Sequence, residues 1–109
     1  MNTLQKSIEQ EKTSPFFISW VKLEKEIRVL ISKRDKKADA FMTKGILIYK
    51  ALLEQCSTEE EVLMPLNNAE RLAFIEENPS NYAAFRQLQE LFNEMDKKIA
   101  SKRAMLGSQ

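Results

Sequence analysis

From Met64 to Met95 the chain reads MPLNNAERLAFIEENPSNYAAFRQLQELFNEM, a stretch that specifies two helices and the break between them. The dipeptide Asn78-Pro79 is that break. A residue before proline avoids helical geometry and proline suits a first helical turn, so the pair is expected to end one helix and begin the next. Upstream, Asn67 and Glu70 have the spacing of a capping box. They open a short helix whose Leu72, Phe74 and Ile75 can plug one end of a bundle. Downstream, Tyr82, Phe85, Leu88, Phe92, Met95 and Ile99 keep a helical period, flanked by Ala84, Leu91 and Met105.

Two more long helices precede this stretch. Ser14-Pro15 predicts a helix start, with serine as cap and proline at the first helical position. From there Phe16, Trp20, Leu23, Ile27 and Leu30 recur at helical steps to about Lys33, widened by Phe17, Val21 and Ile31. The run Lys33-Arg34-Asp35-Lys36-Lys37 breaks the pattern and is read as a polar turn. Beyond it Ala38, Phe41, Met42, Gly45, Ile48, Tyr49, Leu52, Leu53 and Cys56 form one wide apolar face, on which Gly45 suggests a close helix crossing. Ser57 and Thr58 each precede a glutamate by three residues, which predicts a short helical turn before Pro65.

The expected fold is therefore all-α: a small helical bundle of three long helices plus one short one, in one domain spanning residues 1–109. Only two glycines and three prolines are present, too few for many short strands. Residues 1–13 have Leu4 and Ile8 as their only apolar anchors. They are expected either to fray or to lie across the bundle as a short helix, and residues 107–109 to be disordered. The most apolar tracts, FFISWV and GILIY, fall far short of the roughly 20 residues of a membrane span. The polar N-terminus and the single Cys56 place the chain in the cytoplasm by expectation.

Histidine is absent, which removes Ser-His-Asp and Cys-His constellations and the usual zinc sites. Two isolated glycines build no phosphate loop. Cys56 lies near a helix C-terminus among glutamates, a setting that disfavours the thiolate and suits a buried structural cysteine. Asp35 with Asp39, and Glu90 with Glu94, lie one helical turn apart and are the only carboxylate pairs to consider for a metal. In Arg86-Glu90-Glu94-Lys98 the alternation of charge reads instead as a solvated ladder of ion pairs. No cofactor and no metal are expected.

Residues 1–56 hold 11 Lys/Arg against 7 Asp/Glu, a net +4, and the remainder 6 against 9, a net −3. A chain so divided is electrically two-ended, which can steer association or favour head-to-tail contact.

The pattern Pro65-Leu66-Asn67, Glu70-Arg71-Leu72, Phe74-Ile75, Asn78-Pro79, Tyr82, Phe85, Gln87-Leu88, Glu90-Leu91-Phe92 resembles the C-terminal part of the YpoC-like family of Firmicutes. A weaker similarity runs upstream from Pro15-Phe16 to Leu53. The resemblance implies a bacterial cytoplasmic helical domain. It carries over no catalytic or binding residue, because the family has none that is accepted. Many members have extra N-terminal residues, of which residues 1–14 would be a shortened version. Some are encoded near replication-initiation and base-excision genes, an association that adds weight to a nucleic-acid role.

Most positions in that pattern are caps or core. Arg71, Tyr82, Arg86 and Gln87 are explained by neither, so they form the candidate interaction site of a non-enzymatic, protein-binding or regulatory module. Its protein partner is unspecified, and intramolecular hydrogen bonding is the competing explanation for these residues. Ile46 and Leu47, off the main apolar stripe, suggest a homodimer. The alternative is a nucleic-acid accessory protein contacting phosphates through Lys33, Arg34, Lys36 and Lys37. A carboxylate metal-dependent hydrolase ranks third.

Overall fold

The computed structural model describes residues 3–107. Its helices are α1 (Thr3–Ser7), α2 (Gln10–Ser32), α3 (Lys37–Gln55), α4 (Asn68–Glu77) and α5 (Tyr82–Gly107), and among the described residues there is no strand. The fold is all-α, with a fifth, short helix added to the expected four. The long helices α2, α3 and α5 share one core, filled by Trp20, Ile27, Met42, Tyr49, Leu52, Phe85, Leu88, Phe92, Met95 and Ile99. Leu72 and Ile75 of α4 close that core from one side, and Leu4 and Ile8 from one end.

An aromatic cluster forms its centre. Trp20 stacks on Phe92 with centroids 4.3 Å apart and planes 8° from parallel. Tyr49 meets Phe92 edge-on at 5.3 Å. The stack exists because Gly45 of α3 lets the helices close in. A Cβ at Gly45 would lie 3.0 Å from Trp20 Cζ3 and 3.1 Å from Leu88 Cδ2, so any side chain there would push against both.

Turns fix the order of these helices. At the end of α2, Arg34 N–H donates to Ile31 O at 3.0 Å and Asp35 N–H to Leu30 O at 2.9 Å. These two bonds are a Schellman motif, and Arg34 takes its left-handed position with φ 54°, where glycine is usual. Asp35 then works forward: its Oδ1 accepts the Lys37 amide at 2.9 Å and starts α3. The polar turn between α2 and α3 thus forms through backbone bonds that its charges do not reveal.

Several expected boundaries move. The first long helix, α2, begins upstream of Ser14-Pro15, because the Lys12 and Thr13 amides both donate to Glu9 O, at 2.9 and 3.2 Å. Pro15 sits within α2 and gives up one helical bond. Residues 3–13 are helical apart from the short break after Ser7, held by Leu4 and Ile8, and α5 continues through Gly107; Met1, Asn2, Ser108 and Gln109 lie outside the described residues. Thr58 does accept the Glu61 amide at 3.1 Å as a cap would. The chain nevertheless turns back instead of coiling, with Thr58 N–H on Glu61 O at 2.7 Å and Ser57 bridged to Val62. Asn67 stands at the N-cap of α4 in the left-handed region (φ 56°) with no side-chain cap bond, so its tolerance of positive φ replaces the expected capping box. Pro79 occupies the second position of a turn closed by Asn81 N–H on Asn78 O, 3.0 Å, and does not enter α5. The cap of α5 is Asn81, whose Oδ1 accepts the Ala83 amide at 2.7 Å.

Two side chains change sides. Ile46 is buried at 6% exposure, because the inner face of α3 runs through Met42, Gly45, Ile46 and Tyr49; Leu47 alone remains outside. The apolar pair that suggested a homodimer is therefore split between core and surface. Phe74, expected in the core, is 40% exposed, and Tyr82, a candidate interaction residue, is 55% exposed.

Candidate functional site

At the corner between α4 and α5 the structure brings two of the four candidate residues together. The Arg71 guanidinium has five N–H donors. Nη1 donates to Leu66 O at 3.0 Å and to Glu94 Oε1 at 3.0 Å, and Nη2 to Glu94 Oε2. Gln87, its amide oriented by its neighbours so that the oxygen faces Arg71, accepts from Nε and from Nη2, the latter at 2.8 Å. All five donors are thereby used inside the molecule. The hydrogen bonds from Arg71 hold the Glu94 carboxyl below the usual carboxylate range, and the same pairing raises Arg71.

Beneath this network lies Tyr49, fully buried, its hydroxyl donating to Asn68 Oδ1 of α4. Burial pushes that phenol well above its ordinary value, against the lowering influence of Arg71. The tyrosine hydroxyl satisfied in the core is thus Tyr49, and Tyr82 instead lies edge-on to Phe85 at 6.4 Å. Arg86 is exposed. Sequence position suggested a ladder from Arg86 to Lys98, but Glu94 turns across to α4 because a bidentate guanidinium outcompetes a flexible lysine one turn away. Arg71→Ala is expected to cost about 1–3 kcal/mol, limited by the return of water to the part-exposed Glu94, while Arg86→Ala stays within about 0.5 kcal/mol. Urea midpoints for the two variants check the contrast.

The basic residues Lys33, Arg34, Lys36 and Lys37 are all exposed around the α2–α3 turn. None of their side chains belongs to a salt bridge among the described residues. Beside them, between α2 and α3, runs an open groove of about 520 Å³ lined by Lys25, Glu26, Val29, Leu30, Lys37 and Phe41. Val29 is 49% exposed, and Lys44 Nζ sits 4.7 Å above the Phe41 ring. The groove has an apolar floor and a basic rim on which Glu26 is the sole acid. Sequence reading missed it because no single helix face carries it: Val29 falls off the inner stripe of α2, and Phe41 lies at the edge of the α3 stripe. A second groove, between α2 and α5, is lined by Phe17, Ile18 and Val21 with Glu24 and Arg103. Three of its polar residues are already bonded, Glu24 to Gln89 at 2.6 Å and Arg103 to Thr13 at 2.6 Å.

The family model for YpoC-like protein matches residues 10–107, from the first residue of α2 to the last of α5. The chain belongs to the YpoC-like family. No curated protein and no solved structure matches it.

In this YpoC-like chain Cys56 and the Lys102–Glu61 pair lie where elements meet. Cys56 is fully buried, and burial pushes its thiol up to about 11 against the lowering influence of Arg103. Lys102 pairs with Glu61 at 2.8 Å, tying the hairpin-like turn after α3 to α5. Among the described residues no group of three or more His, Cys, Asp or Glu side chains converges. Asp35 uses one carboxylate oxygen to start α3, and Glu94 uses both on Arg71. No described helix is long and apolar enough to cross a membrane.

Proposed function

We propose that this YpoC-like chain is a non-enzymatic interaction module that docks an acidic, apolar-anchored protein segment in the groove between α2 and α3. The observation that carries the reading is the groove itself: exposed Val29 and half-buried Leu30 and Phe41 form its floor, and Lys25 and Lys37 stand on its rim. An apolar side chain entering it removes apolar surface from water on both partners, worth about 25 cal/mol per Å². Acidic residues flanking that anchor would meet lysines that lack ion-pair partners among the described residues, which speeds encounter and fixes register. The corner residues Arg71 and Gln87 support the fold in this reading, and the binding surface shifts to the other side of α3.

Nucleic acid is the rival occupant, since Lys33, Arg34, Lys36 and Lys37 adjoin the groove. A phosphate backbone matches the lysines but gives Val29 and Leu30 nothing to bury against, and Lys44 already occupies one face of Phe41. Fluorescence anisotropy with a labelled acidic amphipathic peptide and with a single-stranded oligonucleotide separates the two. Peptide binding weakened at least about tenfold by Val29→Glu is expected, a loss of about 1.4 kcal/mol. If only the oligonucleotide binds, and changing Lys33, Arg34, Lys36 and Lys37 to Ala abolishes it while Val29→Glu does not, the proposal fails.

A further inference from the structure

The molecule carries on its own α4 a surface of the kind the groove fits. Leu72 and Ile75 face the core, Arg71 is held by Glu94, and Glu76 pairs with Lys50 at 3.4 Å. The outer face is left with Glu70, Ala73, Phe74 and Glu77, at successive helical spacings and all exposed. Phe74 is an apolar anchor 40% open to solvent, flanked one turn away on either side by a carboxylate. No α4 residue lines the groove between α2 and α3. The two surfaces are therefore separate places on one chain, an acidic ridge and a basic-rimmed trough, in keeping with the net +4 of residues 1–56 and the net −3 of the rest.

We infer that the occupant of the groove is a second copy of this chain, docking head-to-tail through α4. Phe74 of one copy lies against Val29, Leu30 and Phe41 of the next, with Glu70 and Glu77 facing Lys25 and Lys37. The inference rests on the docking reading above. A contact between two different surfaces is heterologous, so it leaves one groove and one α4 face free at the ends of every pair. Assembly then grows with concentration into chains or closes into a ring, and does not stop at a twofold dimer. Because each contact matches opposite charges at an exposed rim, it weakens as salt rises.

Charge reversal tests this in the 109-residue chain by sedimentation velocity across concentration, at low and high salt. The groove variant is Lys25→Glu/Lys37→Glu and the α4 variant is Glu70→Lys/Glu77→Lys, all at exposed positions, with circular dichroism verifying that each remains folded. Wild type is expected to grow past a dimer at low salt. Each variant alone is expected to sediment as a monomer, because like charges now face each other, and an equimolar mixture to associate again. A twofold dimer of groove against groove would instead survive the α4 reversal and overturn the inference. So would wild-type assembly that neither reversal disturbs. A wild type that stays monomeric yet binds the acidic peptide of the preceding test also overturns self-docking while leaving the docking reading standing. A monomer that binds no peptide overturns both.

Discussion

Replacing Phe92 with alanine is expected to lower the free energy of unfolding by about 3–5 kcal/mol, a large part of the roughly 5–15 kcal/mol typical of a domain. Phe92 is 1% exposed and lies at the centre of the aromatic cluster, stacked on Trp20 and met edge-on by Tyr49 and by Phe17, whose centroid is 6.3 Å away. Removal of the ring loses its transfer free energy and leaves a void bordered by three aromatics on two other helices, α2 and α3. Those helices cannot collapse into the void, because Gly45 already lets them approach to contact. Trp20 is the chain's single tryptophan, so its fluorescence reports on this stack directly. Urea unfolding followed at Trp20 should show the midpoint fall sharply, with an altered native-state emission as well. A loss below about 1 kcal/mol would mean that the three helices do not share this core.

The long helices were legible because burial of an amphipathic face repeats with the helical period, and that signal survives small local errors. Trp20, Phe85, Leu88, Phe92, Met95 and Ile99 were all placed on inner faces by spacing alone. Boundaries were less legible, because they depend on tertiary anchors. Nothing local to residues 9–13 reveals that a distant arginine on α5 reaches Ile8 and Thr13, and so Ser14-Pro15 looked like the start. Ile46 shows a related difficulty. The inner face of α3 is set by two neighbours, α2 and α5, and its centre rotates by about one residue from where the most hydrophobic side chains would put it.

Candidate binding surfaces were the least legible feature, for two opposite reasons. Arg71 and Gln87 stood out because neither caps nor packing explained them. Satisfying all five donors of one guanidinium is an explanation that appears only when Glu94 and the Leu66 carbonyl are brought alongside. The groove failed to stand out because its floor is assembled from two helices, each contributing residues at the margin of its own stripe. Lys33 to Lys37 could be seen as a charged run, but the apolar floor beside it in the proposed docking surface, Val29 with Leu30 and Phe41, comes from the fold.

Arg103→Ala is expected to release α1 and the first turn of α2, at a cost of about 2–3 kcal/mol, since hydrogen bonds to a charged donor are lost. Arg103 Nε donates to Ile8 O at 2.6 Å and Nη2 to Thr13 Oγ1 at 2.6 Å, joining the end of α5 to the segment before and within α2. The Thr13 hydroxyl can turn to a carbonyl of its own helix, but the Ile8 carbonyl has no such substitute. The burial of Leu4 and Ile8 and a bond from Gln55 Nε2 to Ser7 O at 2.9 Å still act on this end. Hydrogen exchange should rise in residues 4–13 more than in α3 or in the middle of α5. Cys56, next to Gln55 and fully buried, supplies an independent readout with a definite sign. Arg103 lowers its thiol pKa, so in a molecule that stayed closed the substitution would raise that pKa and slow alkylation. Faster alkylation can therefore arise only from opening of the end that α1 covers. Labelling that slows or stays constant would mean that Leu4 and Ile8 hold this end closed without the arginine.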